Sequence, residues 1–175
     1  MKFDDYLNEM GTELTATRGE HLFRQGDRDS ALYYIRRGIL KAYYLTEDGR
    51  EQVKSLVGEG TIMGSLTAAY KGGMNSFSLV ALEDATLVRF EFGDMQALAR
   101  RDPEVTERMT DLLFSLAMKK ERREYEFLCL SAEERYRLLC ERSPELIERV
   151  TQQDIALYLG ITPVALSRIK KRINS

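Results

Sequence analysis

The sequence predicts an α+β protein, β-rich in its amino-terminal part and wholly helical after it. Three observations carry this. Short β-prone runs recur at roughly ten-residue spacing between about residues 13 and 92. From Pro103 onward apolar residues recur instead at three- and four-residue steps. Two capped helical segments joined by a glycine then occupy 151–173. With 175 residues, 43% hydrophobic and 31% charged, the chain suits one medium domain or two small ones and is not disordered.

Residues 3–10 open the chain, with Phe3, Tyr6, Leu7 and Met10 at helical spacing. Among the strands, Ala31–Ile35 is closed by Gly38, and Ile39–Leu45 follows. Asp48-Gly49 supplies a tight hairpin turn before Gln52–Val57, because glycine accepts a positive φ cheaply. Ser76–Leu82 and Thr86–Phe92 are expected to form a second hairpin across Glu83-Asp84-Ala85. Such a set of strands fits a sandwich, a jelly roll or a small barrel.

Pro103 suits the first turn of a helix, where its missing N–H costs nothing. Val105, Met109, Leu112 and Leu116 then fall on one stripe, which Phe127 and Leu130 resume beyond the charged run 119–124. One helix over 103–130 spans roughly 42 Å. That exceeds the internal need of a small domain, so the stripe is expected to pair with its twin in a homodimer. The alternatives are a helix packed on its own β-domain, or two helices broken near 119–124. Ser131-Ala132-Glu133-Glu134 is a capping box and starts another helix, which Ser143-Pro144 ends.

The sharpest signal is in 151–173. Thr151 caps a helix with Asp154 in its first turn and Ile155, Ala156 and Leu159 on its inner face. Gly160 makes the turn, Thr162 caps a second helix, and Pro163 occupies its first turn. Leu166, Ile169 and Ile173 face inward, leaving Val164, Ala165, Ser167, Arg168, Lys170 and Lys171 outward. This is the arithmetic of a helix-turn-helix. Arg168, Lys170, Lys171 and Arg172 against Asp154 give 151–175 a net charge of +3, while the other 150 residues carry −5. A small basic patch at one end of an acidic chain points to nucleic acid. The candidate contacts are Thr151, Gln153, Thr162, Pro163, Val164, Ser167, Arg168, Lys170 and Lys171. Arg168 is expected to read base edges and the lysines to hold phosphate.

Composition excludes much else. Only His21 is present, read as a surface residue at a strand start, so histidine-rich metal sites and HExxH zinc chemistry are absent. No catalytic or metal residues are proposed, and the chain is not expected to be an enzyme. Cys129 and Cys140 are too few for a disulfide framework and are read as small buried hydrophobes. The longest uncharged runs, Gly60–Tyr70 and Gly72–Leu82, are too short to span a membrane. Met1-Lys2-Phe3-Asp4-Asp5 lacks an apolar run, so a cytoplasmic protein is expected.

Taken together, Gly26-Asp27, Leu32-Tyr33-Tyr34-Ile35 and Gly38 resemble the signature of a cyclic-nucleotide-binding domain, although Asp29 stands where that signature prefers a small residue. With the long helix and the segment Thr151-Gln152-Gln153-Asp154-Ile155-Ala156 to Gly160 and Leu166-Ser167-Arg168-Ile169, nearly the whole chain resembles the Crp/Fnr superfamily of bacterial transcription regulators. The resemblance implies a double-stranded β-helix (jelly roll) effector domain over 1–102, a dimerisation helix over 103–130 and a helix-turn-helix DNA-binding domain over 131–175, without a wing. It also implies a homodimer on a pseudo-palindromic double-stranded operator, with RNA polymerase as a partner and no membrane. The dimer seam is then Val105, Met109, Leu112 and Leu116. A ligand-sensing or protein-interaction module whose helix-turn-helix does not bind DNA is the alternative.

The family's ligand positions fall on Gly64-Ser65 and Asn75-Ser76, with Lys120 and Arg123 on the long helix facing them. Cyclic-AMP-binding members carry a glutamate and an arginine where Ser65 and Asn75 stand here. Neither substitute replaces the lost carboxylate or guanidinium, so cyclic AMP in the usual mode is not expected. No cofactor is specified, and the effector is not identified. The best-known members also open the recognition helix with an Arg-Glu pair where this chain has Pro163 and Val164, so a different operator is expected.

Overall fold

The protein is described by a computed structural model over residues 6, 7, 9 and 11–173. Of the opening helix expected over 3–10, Tyr6, Leu7 and Glu9 are helical, and the rest lies outside the described residues. Eight strands follow: β1 (Thr12–Ala16), β2 (His21–Phe23), β3 (Ala31–Arg37), β4 (Leu40–Leu45), β5 (Glu51–Val57), β6 (Ile62–Met63), β7 (Ser78–Ala81) and β8 (Ala85–Glu91). They form two antiparallel four-stranded sheets ordered β1-β8-β3-β6 and β2-β7-β4-β5. This is the jelly-roll alternative. Phe23, Tyr33, Ile35, Leu40, Leu79 and Leu87 fill the space between the sheets.

The Asp48-Gly49 turn closes the β4–β5 hairpin, with Thr46 N–H donating to the Arg50 carbonyl at 3.0 Å. The second expected hairpin does not form. β7 pairs with β2 and β4, whereas β8 pairs with β1 and β3. A three-residue link between strands therefore crosses from one sheet to the other. β3 and β4 cross in the same way at Gly38, whose φ is +103° and where a Cβ would come within 2.7 Å of the Ala85 Cβ. Both crossings sit at the same corner, which leaves no room for a side chain at Gly38.

Helices α1 (Leu66–Lys71) and α2 (Phe92–Ala99) flank the sheets and carry no strong periodicity in the sequence. α3 (Pro103–Cys129) is one unbroken helix of 27 residues, roughly 40 Å long at 1.5 Å per residue. The charged run within it contains only good helix formers and no glycine or proline, so it changes the face of the helix without breaking it. Asp102 caps α3 by accepting from the Glu104 N–H at 2.9 Å, and Tyr6 donates to the other Asp102 oxygen at 2.6 Å. That hydrogen bond is the main reason the Tyr6 hydroxyl is pushed up to about 12.

The expected dimer seam faces elsewhere. Val105 is buried, and Met109 and Leu112 pack against the cluster of Leu32, Val88, Phe90, Phe92 and Met95. Leu116 is half-buried over the same side. The stripe therefore covers the helix's own barrel, because the outer face of β3 and β8 is apolar and needs a lid. Cys129, expected buried, is exposed at the end of α3, and Cys140 is partly buried.

Among the described residues four helices follow: α4 (Ala132–Arg142), α5 (Pro144–Arg149), α6 (Gln152–Leu159) and α7 (Pro163–Ile173). The Ser131–Glu134 capping box is present in both directions. Pro144 ends α4 and starts α5, a six-residue helix that the sequence reading missed. Tyr136, Leu139, Leu146, Ile155, Leu159 and Leu166 form one core with Ile39, Val53 and Leu56 of the barrel. The helical end is thus docked on the β2-β7-β4-β5 sheet.

Candidate functional site

The α6–α7 hairpin is built by its caps. Thr151 Oγ1 accepts from the Asp154 N–H at 3.1 Å and starts α6. Gly160 ends it in the left-handed region, with φ 71° and ψ 32°. There the Gly160 N–H donates to the Leu157 carbonyl and the Ile161 N–H to the Ala156 carbonyl, the paired closure of a Schellman motif. Thr162 Oγ1 accepts from the Ala165 N–H at 3.2 Å and starts α7. Ala156, wholly buried, lets the two helices approach, and Leu166 and Ile169 lock them together.

Pro163, Val164, Ser167, Arg168 and Lys171 are exposed on α7, and Thr151, Gln153 and Thr162 are exposed at the starts of the two helices. Ala165 is partly buried. So is Lys170, whose Nζ donates to Gln152 Oε1 at 2.9 Å and ties α7 to α6. Arg172, beyond it, pairs with Glu133 on α4 at 2.9 Å. Eight of the nine candidate nucleic-acid contacts are thus exposed, Lys170 is partly buried, and the two threonines also serve as caps.

Asp154 does more than favour the start of α6. It is buried, and Lys41 Nζ of β4 donates to it at 2.8 Å and to Glu51 at 2.9 Å. Burial alone pushes the Lys41 ammonium down, but its bonds to Asp154 and Glu51 outweigh that and leave it above its usual range. A second link joins Arg149 of α5 to Glu59 at 2.7 Å and to Glu83. The bond from Arg149 holds the Glu59 carboxyl down at about 2. These contacts fix the hairpin to the barrel, and the sequence reading named none of them. One signal was available: Lys41 stands inside the apolar run Ile39-Leu40-Lys41-Ala42-Tyr43, and a cation there requires a carboxylate partner.

A cavity of about 1220 Å³ lies between β5, α3 and the helical end. Five of the six candidate effector residues line it: Gly64, Ser65, Ser76, Lys120 and Arg123. Asn75 does not. It is buried in a turn that pairs with Gly26 and Asp27 through its backbone, and its side-chain amide has no partner. Ser65 accepts from the Ala68 N–H as the cap of α1. Arg123 donates to the carbonyls of Val53 and Tyr158 at 3.0 and 3.1 Å and stacks on the Tyr158 ring at 4.1 Å. Burial is the main influence lowering its pKa. Arg123 therefore bridges β5 and α6. His21 is half-buried at the start of β2, against the Tyr43 hydroxyl at 2.9 Å. Among the described residues no three His, Cys, Asp or Glu side chains are grouped to hold a metal.

Comparison with known proteins agrees with this architecture. The profile of the cyclic nucleotide-binding domain matches residues 13–102. The chain belongs to that domain family. It is 33% identical over 169 residues to the fumarate and nitrate reduction regulatory protein of Shigella dysenteriae. The match covers 89% of this chain and 66% of that protein, so the chain spans about two thirds of this relative. Among solved structures it is similar to FixK2 from Bradyrhizobium japonicum, with a TM-score of 0.77 at 19% identity over 94% of this chain and 84% of that one. It is also similar to CLP of Xanthomonas campestris, described as a c-di-GMP responsive global regulator, with a TM-score of 0.76 at 18% identity over 98% and 89%. These two likenesses show the shared fold. No described helix is long and apolar enough to cross a membrane.

Proposed function

We propose that the chain is a sequence-specific DNA-binding transcription regulator that works as a homodimer. The observation that carries this is the exposed surface of α7, where Pro163, Val164, Ser167, Arg168 and Lys171 stand on a capped and internally packed two-helix unit. α7 enters the major groove, Arg168 bonds a guanine through O6 and N7, and Lys171 holds phosphate. Lys170 reaches phosphate only by leaving Gln152. The curated relative, named as a regulatory protein, supports the same reading.

The dimer forms through the other face of α3. Phe114, Met118, Tyr125 and Leu128 are exposed there, Phe114 at 64% and Leu128 at 77%. With Glu121 between them, positions 114, 118, 121, 125 and 128 repeat at four-three-four-three spacing, the pattern of a coiled-coil seam. A second copy of α3 covers this stripe and places two α7 helices on one side of a duplex. As a regulator the dimer acts on RNA polymerase, and its signal enters through the cavity. Ser65, used as a helix cap, and Asn75, held outside the cavity, support an effector other than cyclic AMP in its usual mode.

Titration on a duplex selected from a random pool, and on unrelated DNA, tests this at several salt concentrations. Arg168→Ala costs about 1–3 kcal/mol on the selected duplex and relaxes one base pair. Lys171→Ala weakens both DNAs alike and flattens the salt slope by about one unit. Equal loss on both DNAs for Arg168→Ala reduces it to a phosphate anchor and removes the claim of base reading.

A further inference from the structure

The cavity beside α3 contains a cation that no carboxylate of the described residues answers. Lys54 of β5 lines it with its ammonium 4.7 Å from the centre of the Phe77 ring. Among the described residues no carboxylate pairs with it. Burial brings its pKa down to about 8, and the neighbouring charges that push the same way are Lys120 and Arg123. Of the carboxylates on the cavity wall, Glu59 is taken by Arg149 and Glu126 by Arg142, while Glu124 and Glu145 are exposed. A half-buried ammonium held among cations is costly, and the face of one aromatic ring offsets only part of that cost unless something negative joins it. Apolar side chains stand on the same cavity wall, among them Phe77, Leu112 and Leu116. The volume is ample for a drug-sized molecule.

We propose that this cavity binds an amphiphilic organic anion, its acidic head between Lys54 and Lys120 and its apolar body against Phe77, Leu112 and Leu116. This rests on reading the cavity as the effector site and names the ligand class it takes. The head lies on β5 and α3, away from the turn at Asn75. An inorganic anion would satisfy the cations but leave the apolar walls bare, and a neutral ligand would leave Lys54 without a counter-charge. A carboxylate, sulfonate or phosphate ester on an aromatic or aliphatic body meets both needs.

The probes are two fluorescent dyes of nearly the same shape: anilinonaphthalene sulfonate, and phenylnaphthylamine, which lacks the sulfonate. Both are titrated into the full chain without DNA. The wild-type protein is expected to bind the sulfonate at least about tenfold more tightly than the neutral dye, as a charge-assisted contact in a half-buried site should give. Lys54→Met abolishes that preference and keeps the neutral dye, while Lys54→Arg retains the preference. Lys120→Met, on an exposed stretch of helix, reduces the preference and remains informative if Lys54→Met does not fold. No dye binding, equal affinities in the wild-type protein, or a preference that survives both methionine variants overturns the proposal. A chain that selects DNA but shows no such preference loses this site alone. One that shows the preference but selects no DNA keeps the site and loses the regulator reading.

Discussion

Asp154→Ala perturbs the contact that joins the helix-turn-helix to the barrel. The Lys41 and Asp154 side chains are each 11% exposed, and their oxygen and nitrogen lie 2.8 Å apart. Removing one partner of a buried pair typically costs about 3–5 kcal/mol, because the other charge is stranded. Lys41 is not wholly stranded here, since Glu51 remains at 2.9 Å with a side chain 37% exposed. Thr151 Oγ1 also loses its hydrogen bond to Asp154 Oδ2. The expected loss is therefore about 2–3 kcal/mol, a large share of the 5–15 kcal/mol that holds a typical protein folded. Urea unfolding measures it. Lys41→Met with Asp154→Leu removes both charges and should recover much of the loss, giving a coupling of about 1–3 kcal/mol in a double-mutant cycle. A single variant that loses less than about 0.5 kcal/mol, or a cycle that is additive, refutes the assignment of this pair as the buried anchor.

Three further outcomes follow from the geometry. Gly160→Ala puts a side chain on a left-handed backbone and its Cβ 3.0 Å from Phe127, so thermal unfolding should show a loss of about 1–3 kcal/mol. Phe114→Glu with Met118→Glu yields folded monomers in sedimentation, whereas Leu112→Glu damages the barrel instead; dimers that survive the first pair sink the seam. The Glu59 carboxyl is held at about 2 by Arg149, below its ordinary 4.5. Its contribution is therefore complete above about 4.5 and disappears as pH falls toward 2. Acid unfolding of Glu59→Gln should lose that part of the slope, and an unchanged slope removes Glu59 from the link.

The sequence was most legible where local chemistry decides structure. Thr151, Gly160 and Thr162 specify caps and a turn within a few residues, and Ser131 with Glu134 does the same, so the helices stand where the spacing places them. Asp48-Gly49 marks its hairpin for the same reason. Sheet membership was not local: Glu83-Asp84-Ala85 reads as a hairpin turn, yet the strands it joins pair with strands far back in the chain, Ser78 with Tyr43 and Glu91 with Ala31. The periodicity of α3 was correct but its direction was not. A stripe of Val105, Met109 and Leu112 shows that one face is buried and cannot show whether a barrel or a second helix buries it. The exposed face, with Phe114 and Met118 interleaved among charges, was the weaker signal. Lys41, Lys54 and Asn75 are polar residues in apolar runs, and their partners, or lack of them, emerge only after folding.

The central claim is that the face of α7 carrying Arg168 reads DNA as one of a symmetric pair. Selection of bound duplexes from a random double-stranded pool by this chain tests it most directly. The account predicts enrichment of a pseudo-palindrome whose half-sites are one helical turn apart, about 34–36 Å, and loss of one base pair's preference in each half-site with Arg168→Ala. A pool that stays random, or an enriched sequence unaltered by Arg168→Ala, contradicts it.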